Sequence, residues 1–307
     1  MTEVIRQRLG FIGLGNMGGR MTRRLVDAGH PVLGFDPVPG RAAAAGAAPA
    51  ASVTEVAERS DVILLSLPDS SVVESVVRGG GGLLQAGRPG QIVADLSTAA
   101  PSSTIALHDE LAAREISYLD AGISGGAAAA EKGTLTIMVG GSAAALESVS
   151  WAFAPIASAV VHMGASGAGH TTKVLNNFLN AVSLAATAEV MLAARQAGLD
   201  LAVVLQVINA SSGVNFATQH RFPHIIRGDY LEGGLTSALM TKDIALYVAC
   251  LHELGVPSLQ AAGPLAAFGL ANSLGYRDQI SNRVVDALGD LAGGIRLHDG
   301  NSGKTGD

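Results

Sequence analysis

Gly13-Leu14-Gly15-Asn16-Met17-Gly18 follows an apolar run at residues 9–12 and opens a stretch with helical pattern. The G-x-G-x-x-G spacing has a physical reading. The first glycine permits a tight turn, the second lets a phosphate approach the backbone, and the third allows a helix to pack closely on a strand. Phosphates would then rest on the positive end of the helix. Asp36 closes the next apolar run, where a carboxylate accepts hydrogen bonds from ribose hydroxyls and repels a 2′-phosphate. Together these residues predict a dinucleotide site that takes NAD, while Arg41, five residues beyond Asp36, keeps NADP open.

Two other clusters predict less. Residues 79–82 are all glycine but lack the Lys-Ser/Thr ending of a phosphate-binding loop, so they read as a flexible connection. His220 and His224 stand at i,i+4, but Pro223 lies between them and no third ligand is near, so no metal site is expected.

The elements that must position the fingerprint alternate. Residues 9–12, 32–35, 62–67, 92–96 and 116–121 read as strands, with helical stretches at 17–28, 53–58, 71–77 and 102–114 between them. Such alternation predicts a mostly parallel sheet covered on both faces. Residues 134–139 and 160–163 would extend it through a different connection, and the alanine-rich 42–51 reads as helix plus loop. From residue 169 the strand pattern stops: helices are expected at 169–198, 202–209, 242–254, 258–274 and 282–291. The expected fold is therefore α/β, an N-terminal Rossmann-type dinucleotide-binding domain over 1–163 followed by an all-α C-terminal domain over 164–297. The polar, Gly-rich residues 298–307 read as a disordered tail.

Bulk composition agrees with that frame. The 307 residues are 48% hydrophobic and 15% charged, enough for two cores, and the aromatic share of 4% suits close helix packing. A net charge of −6 without a basic run lacks the electrostatic footprint of a nucleic-acid binder. Cys250 is the single cysteine, so a reducing compartment is expected and an intramolecular disulfide is impossible. Residues 1–8 are charged and short, unlike a signal peptide, and charged or polar residues interrupt every long apolar segment. A cytoplasmic protein without a membrane span is the expectation. The surplus apolar surface of its long helix would be covered by a second copy, in a homodimer or homotetramer.

Further motifs fall in one order across nearly the whole chain. They are the fingerprint with Met21 after it, Leu67-Pro68, and Asp95-Leu96-Ser97-Thr98 with Pro101. Asp120-Ala121-Gly122-Ile123-Ser124-Gly125-Gly126 and Gly164-Ala165-Ser166-Gly167-Ala168-Gly169 follow, then Lys173-Val174-Leu175-Asn176-Asn177 and Lys242-Asp243. The set resembles the β-hydroxyacid dehydrogenases, a family that includes 3-hydroxyisobutyrate dehydrogenase, tartronate semialdehyde reductase and, more distantly, 6-phosphogluconate dehydrogenase.

The resemblance implies an oxidoreductase that moves a hydride between NAD(P) and a small 3-hydroxy acid or its semialdehyde. It assigns Lys173 as general acid and base, a task that suits a lysine because burial can lower its pKa toward working pH. Asn176 and Asn177 follow at i+3 and i+4, and one of them would orient the substrate hydroxyl. Ser124, Gly125 and Gly126 match the segment that holds the substrate carboxylate, a neutral nest of backbone N–H groups. Gly13, Leu14, Gly15, Asn16, Met17, Gly18, Asp36, Leu67, Pro68, Thr98 and Lys242 fall to the cofactor, Thr98 beside the nicotinamide and Lys242 reaching from the helical half.

The chain also departs from the family pattern. Gly122 and Ile123 replace a usual Pro-Val, which predicts a loosened substrate segment, and Gly234-Leu235 stand where an aromatic is often found. Asn176 and Asn180 occupy the positions of the histidine and glutamate of 6-phosphogluconate dehydrogenase, which argues against decarboxylation of a sugar phosphate. Reduction of an imine or a bulkier carbonyl is the alternative that the altered segment encourages, although imine reductases usually carry Asp or Tyr in place of Lys173. A non-catalytic dimerisation or partner-binding module is a third reading, opposed by the presence of Lys173.

Overall fold

The computed structural model describes residues 7–298, so all of the expected tail except His298 lies outside the described residues. The chain divides into two compact units, the first ending at Val174 and the second beginning at Leu175. That division falls within a helix, whose first turns are held on the sheet by contacts described below.

In the first unit the strands are β1 (Leu9–Ile12), β2 (Val32–Phe35), β3 (Ala48–Pro49), β4 (Val62–Leu65), β5 (Ile92–Asp95), β6 (Ser117–Ser124), β7 (Leu135–Gly140) and β8 (Ala157–Gly164). They form one sheet in the order β3-β2-β1-β4-β5-β6-β7-β8. Every pair is parallel except β6 with β7. β1, β4 and β5 are buried along their whole length, which is why they read as uninterrupted apolar runs. The order reverses beside β1, which lies between β2 and β4, and such a switch point opens a crevice at the carboxyl ends of the strands.

Covering the sheet are α1 (Asn16–Asp27), α2 (Arg41–Ala44), α3 (Val53–Arg59), α4 (Ser70–Arg78), α5 (Leu83–Ala86), α6 (Pro101–Ala112), α7 (Gly126–Lys132) and α8 (Ala143–Phe153). Two apolar clusters result, one around Phe11, Leu64, Leu119 and Phe153, the other around Ile12, Ile63, Leu83 and Tyr118. Side-chain caps start several helices, with Ser52 accepting from the Glu55 N–H and Asp69 from the Val72 N–H. Helix α1 differs: its N-cap is Gly15, which has no side chain to offer.

Helix α9 (Ala168–Gln196) runs from the first unit into the second. α10 (Leu201–Asn209), α11 (Phe216–His220), α12 (Phe222–Ile225), α13 (Ser237–Glu253), α14 (Ala262–Ala271) and α15 (Val284–Leu291) complete the second unit. Its core gathers Phe178, Leu184, Met191, Phe222, Met240, Phe268 and Val285, and the Phe178 and Tyr247 rings stack at 3.6 Å. By length and composition α9 alone among the described helices is apolar enough to cross a membrane, but more than half of that stretch is buried inside the fold.

The structure corrects one expectation about the site. Gly122 is not part of a loosened segment, because β6 continues to Ser124 and Gly122 pairs with Met138 of β7.

Candidate active site

The fingerprint sits at the carboxyl end of β1. Gly13 has φ +89°, and a β-carbon there would fall 2.3 Å from the Ser66 carbonyl oxygen, so the turn admits only glycine. A β-carbon on Gly18 would stand 1.9 Å from the Gly13 carbonyl oxygen, the close packing foreseen for the third glycine. Gly15 faces open space, its nearest neighbour in that direction being an Arg41 nitrogen at 3.9 Å. The helix end behind it has no side-chain cap, so its N–H groups fit a pyrophosphate.

Asp36 is tied to this loop. Its carboxylate accepts from the Leu14 N–H at 2.8 Å and the Val38 N–H at 2.9 Å, and pairs with Arg41 at 3.2 Å. Arg41 is about half exposed, so the pair is a weak surface contact that a ligand can rearrange. Leu67 and Thr98 follow β4 and β5 at the same sheet edge, and the Ser97 hydroxyl accepts from the Leu67 N–H at 2.9 Å.

Lys173 lies in the second turn of α9 and is the one buried lysine or arginine among the described residues, at 9% exposure. Below it is Gly122: a β-carbon there would approach the Lys173 β-carbon to 2.6 Å. One turn earlier, a β-carbon on Gly169 would stand 2.4 Å from the carbonyl oxygens of both Asp120 and Met138. Glycines thus bring the helix down onto β6 and β7.

Polar groups then pin it there. Buried Asp120 accepts from the Gly167 and His170 N–H groups at 2.9 and 2.8 Å, placing a carboxylate at the positive end of α9. The fully buried His170 ring meets the Thr104 hydroxyl through Nδ1 at 2.7 Å and the Asp95 carbonyl through Nε2 at 3.2 Å. A carbonyl only accepts, so Nε2 carries a proton. Asp95 in turn accepts from the Tyr118 hydroxyl at 2.9 Å and the Ser97 N–H at 3.0 Å. Burial, and then the Asp95 and Asp120 charges, hold the Tyr118 phenol well above its ordinary range, so it stays a donor.

In the second unit, Asn177 is buried and donates through Nδ2 to Asp243 at 2.6 Å, while Asn176 is exposed. An ionised carboxylate only accepts, so this contact fixes which way the Asn177 amide faces. Asp243 also pairs with its neighbour Lys242 at 3.2 Å. Ser124, Gly125 and Gly126 join β6 to α7, with φ +126° and +69° at the two glycines. Apart from its chain neighbours and the backbone of its own helix, no atom lies within 4 Å of where a β-carbon on Gly126 would stand, so that glycine keeps an approach open. His220 packs on the Phe216 ring and His224 meets Asp229 at 3.0 Å.

Sequence reasoning passed over Asp120, Thr104, His170 and Asp243 as positioning groups. Only their adjacency to recognised motifs signalled them: His170 precedes Lys173 by three residues, and Asp243 follows Lys242.

Comparison with known proteins agrees with this arrangement. Residues 8–164 match the NAD binding domain of 6-phosphogluconate dehydrogenase, and residues 167–287 the NAD-binding domain of NADP-dependent 3-hydroxyisobutyrate dehydrogenase. The chain is 36% identical over 276 residues to 2-(hydroxymethyl)glutarate dehydrogenase of Eubacterium barkeri, covering 88% of this chain and 92% of that protein. It is 38% identical over 283 residues to NAD-dependent L-serine dehydrogenase of Pseudomonas aeruginosa, covering 89% and 95% of the two. The solved structure of Mycobacterium tuberculosis 3-hydroxyisobutyrate dehydrogenase with L-serine matches at a TM-score of 0.83 and 30% identity, over 92% of this chain and 99% of that one. With both halves matched in order, the chain belongs to the β-hydroxyacid dehydrogenases, the NAD(P)-dependent oxidoreductases of the 3-hydroxyisobutyrate dehydrogenase kind.

Proposed function

We propose that this enzyme interconverts a small 3-hydroxy acid and its semialdehyde, with Lys173 as the proton-transfer group. The observation that carries the reading is the burial of Lys173, an amine that lies over a glycine floor rather than in solvent. Burying a charged amine is unfavourable, and such positions are where acid–base groups are found.

In oxidation Lys173 takes the alcohol proton, and in reduction it returns a proton to the carbonyl oxygen. Bound NAD(P) supplies the hydride acceptor or donor at nicotinamide C4. Gly13 to Gly18 would hold its pyrophosphate and Asp36 its ribose, with Leu67, Pro68, Thr98 and Lys242 as further cofactor contacts. Asn177, its amide fixed by Asp243, would orient the substrate hydroxyl. Asn176, exposed on the same helix, is the weaker candidate for that role. Ser124, Gly125 and Gly126 would take the substrate carboxylate on backbone N–H groups. In domain terms, residues 1–163 would serve the cofactor and 164–297 the substrate and self-association.

The single cysteine, Cys250, suits a cytoplasmic enzyme. Helix α9 leaves Leu175, Leu179 and Val190 between 40% and 65% exposed, an apolar face that a second copy would cover in a dimer or tetramer. Gly122, which had encouraged an imine-reductase reading, is accounted for by the packing of Lys173 against it.

The deciding experiment is a screen of 2-substituted 3-hydroxypropanoates with NAD and NADP, followed by nicotinamide absorbance. Turnover of at least one such acid is expected. Inertness toward all of them, with reduction of cyclic imines, would overturn the reading.

A further inference from the structure

Arg221 stands in an unusual setting in the second unit. Its guanidinium is part-buried and donates through one terminal nitrogen to Asn282 Oδ1 and through the other to Asn180 Oδ1, both at 2.9 Å. The Phe216 ring centroid lies 5.7 Å away. No carboxylate forms a salt bridge with it among the described residues. Burial alone pushes its pKa down, to about 10, with no acid nearby to offset that. The two amides orient the guanidinium without neutralising it, so among the described residues its charge has no counter-ion.

The position of Asn180 gives this cation a direction. Lys173, Asn177 and Asn180 stand at i, i+4 and i+7 on α9, so they form one stripe of a single helix. Asn180 holds the guanidinium fork beside the end of that stripe. Seven residues of helix span about 10 Å, so Asn180 stands about that far along α9 from Lys173. Asp243, the acid that meets this stripe at Asn177, is already engaged by Asn177 and Lys242.

We infer that Arg221 is a second anion-binding group for the substrate, and that the preferred 3-hydroxy acid carries a second carboxylate at the far end of a short chain. The inference rests on the 3-hydroxy acid reading and narrows it to dicarboxylates. A guanidinium with two N–H groups held by amides still has donors left for a carboxylate. Arginine rather than lysine fits that task because its fork is planar and retains its charge when partly buried.

The test measures binding with non-reacting probes. The NAD-loaded enzyme is titrated calorimetrically with glutarate, and with its monoamide, which keeps one carboxylate and the same length. Wild type is expected to bind glutarate at least about tenfold more tightly, the worth of one charge-assisted contact. Arg221→Gln should erase that preference and Arg221→Lys should keep part of it, with thermal melting to confirm that each variant is folded. Equal binding of the two probes by wild type, a measurement that needs no variant, would overturn the inference. So would a preference that persists in folded Arg221→Gln, or no binding of glutarate at all. If glutarate binds through Arg221 while no 3-hydroxy acid is turned over, the dehydrogenase reading falls and the anion site stands.

Discussion

Gly122 and Lys173 are in backbone-close contact: a β-carbon on the strand residue would come within 2.6 Å of the lysine β-carbon and 3.1 Å of its γ-carbon. The strand cannot retreat, because Gly122 is paired with Met138 across β6 and β7. Any side chain at 122 must therefore push the lysine. Gly122→Ala is expected to destabilise by about 1–3 kcal/mol, as overpacking does. It should lower kcat by up to about a hundredfold through displacement of the acid–base group. Cofactor affinity should stay near wild type. Thermal melting, kcat and an NAD titration on the same preparation check this, and unchanged kcat would show that the contact does not position Lys173.

Lys173→Ala should lower kcat by about 10²–10⁴ while the protein folds and binds cofactor. Lys173→Arg should recover little, since a guanidinium does not give up its proton at working pH. Steady-state rates for both variants decide it. Turnover near wild type in Lys173→Ala would remove the lysine from the mechanism.

Gly126→Ala tests the carboxylate nest with little steric interference from the fold, because the new methyl meets only open space. The positive φ costs about 1 kcal/mol, small enough to leave the protein folded. KM for a 3-hydroxy acid should rise several-fold with Kd for NAD unchanged. Equal loss of both affinities would assign the segment to the fold instead. Gly125 is a poorer probe, since a β-carbon there would collide with Ala129 at 2.5 Å.

NAD should bind more tightly than NADP, because the Asp36 carboxylate repels a 2′-phosphate. In Asp36→Ala the Arg41 guanidinium loses its partner and becomes available to that phosphate, so the preference should narrow or invert. Fluorescence titration of both cofactors against wild type and variant measures it. Tighter binding of NADP by the wild-type enzyme would reverse the assignment.

The parts of this molecule that could be read from the chain are those written in local pattern. The buried strands β1, β4 and β5 announce themselves as unbroken apolar runs, and the fingerprint by its glycine spacing. β8 begins earlier than its apolar run, at Ala157, because it is an exposed edge whose residues show no inward-outward contrast. Neither α7 nor α8 has a counterpart among the elements expected from the sequence, since the alanine runs at their starts carry no helical stripe. The supports of the site were the least visible. Thr104 and His170 are 66 positions apart, Asn180 and Arg221 are 41, and only folding makes them neighbours.

The division of the chain at Val174 has a consequence for anyone dissecting it. Halves cut there would leave the first with seven residues of α9, fewer than two turns, held only by their packing on the sheet and by the Asp120 and His170 contacts. Lys173 would then be the penultimate residue of a frayed end. The anchors at Asp120 and His170 set where the helix begins, but the lysine keeps its heading only while the twenty-two residues from Leu175 to Gln196 continue the hydrogen-bond ladder. The two units are thus separable as packing cores and inseparable as genes: expressed as independent fragments and mixed, they should bind nicotinamide nucleotides without turning over substrate.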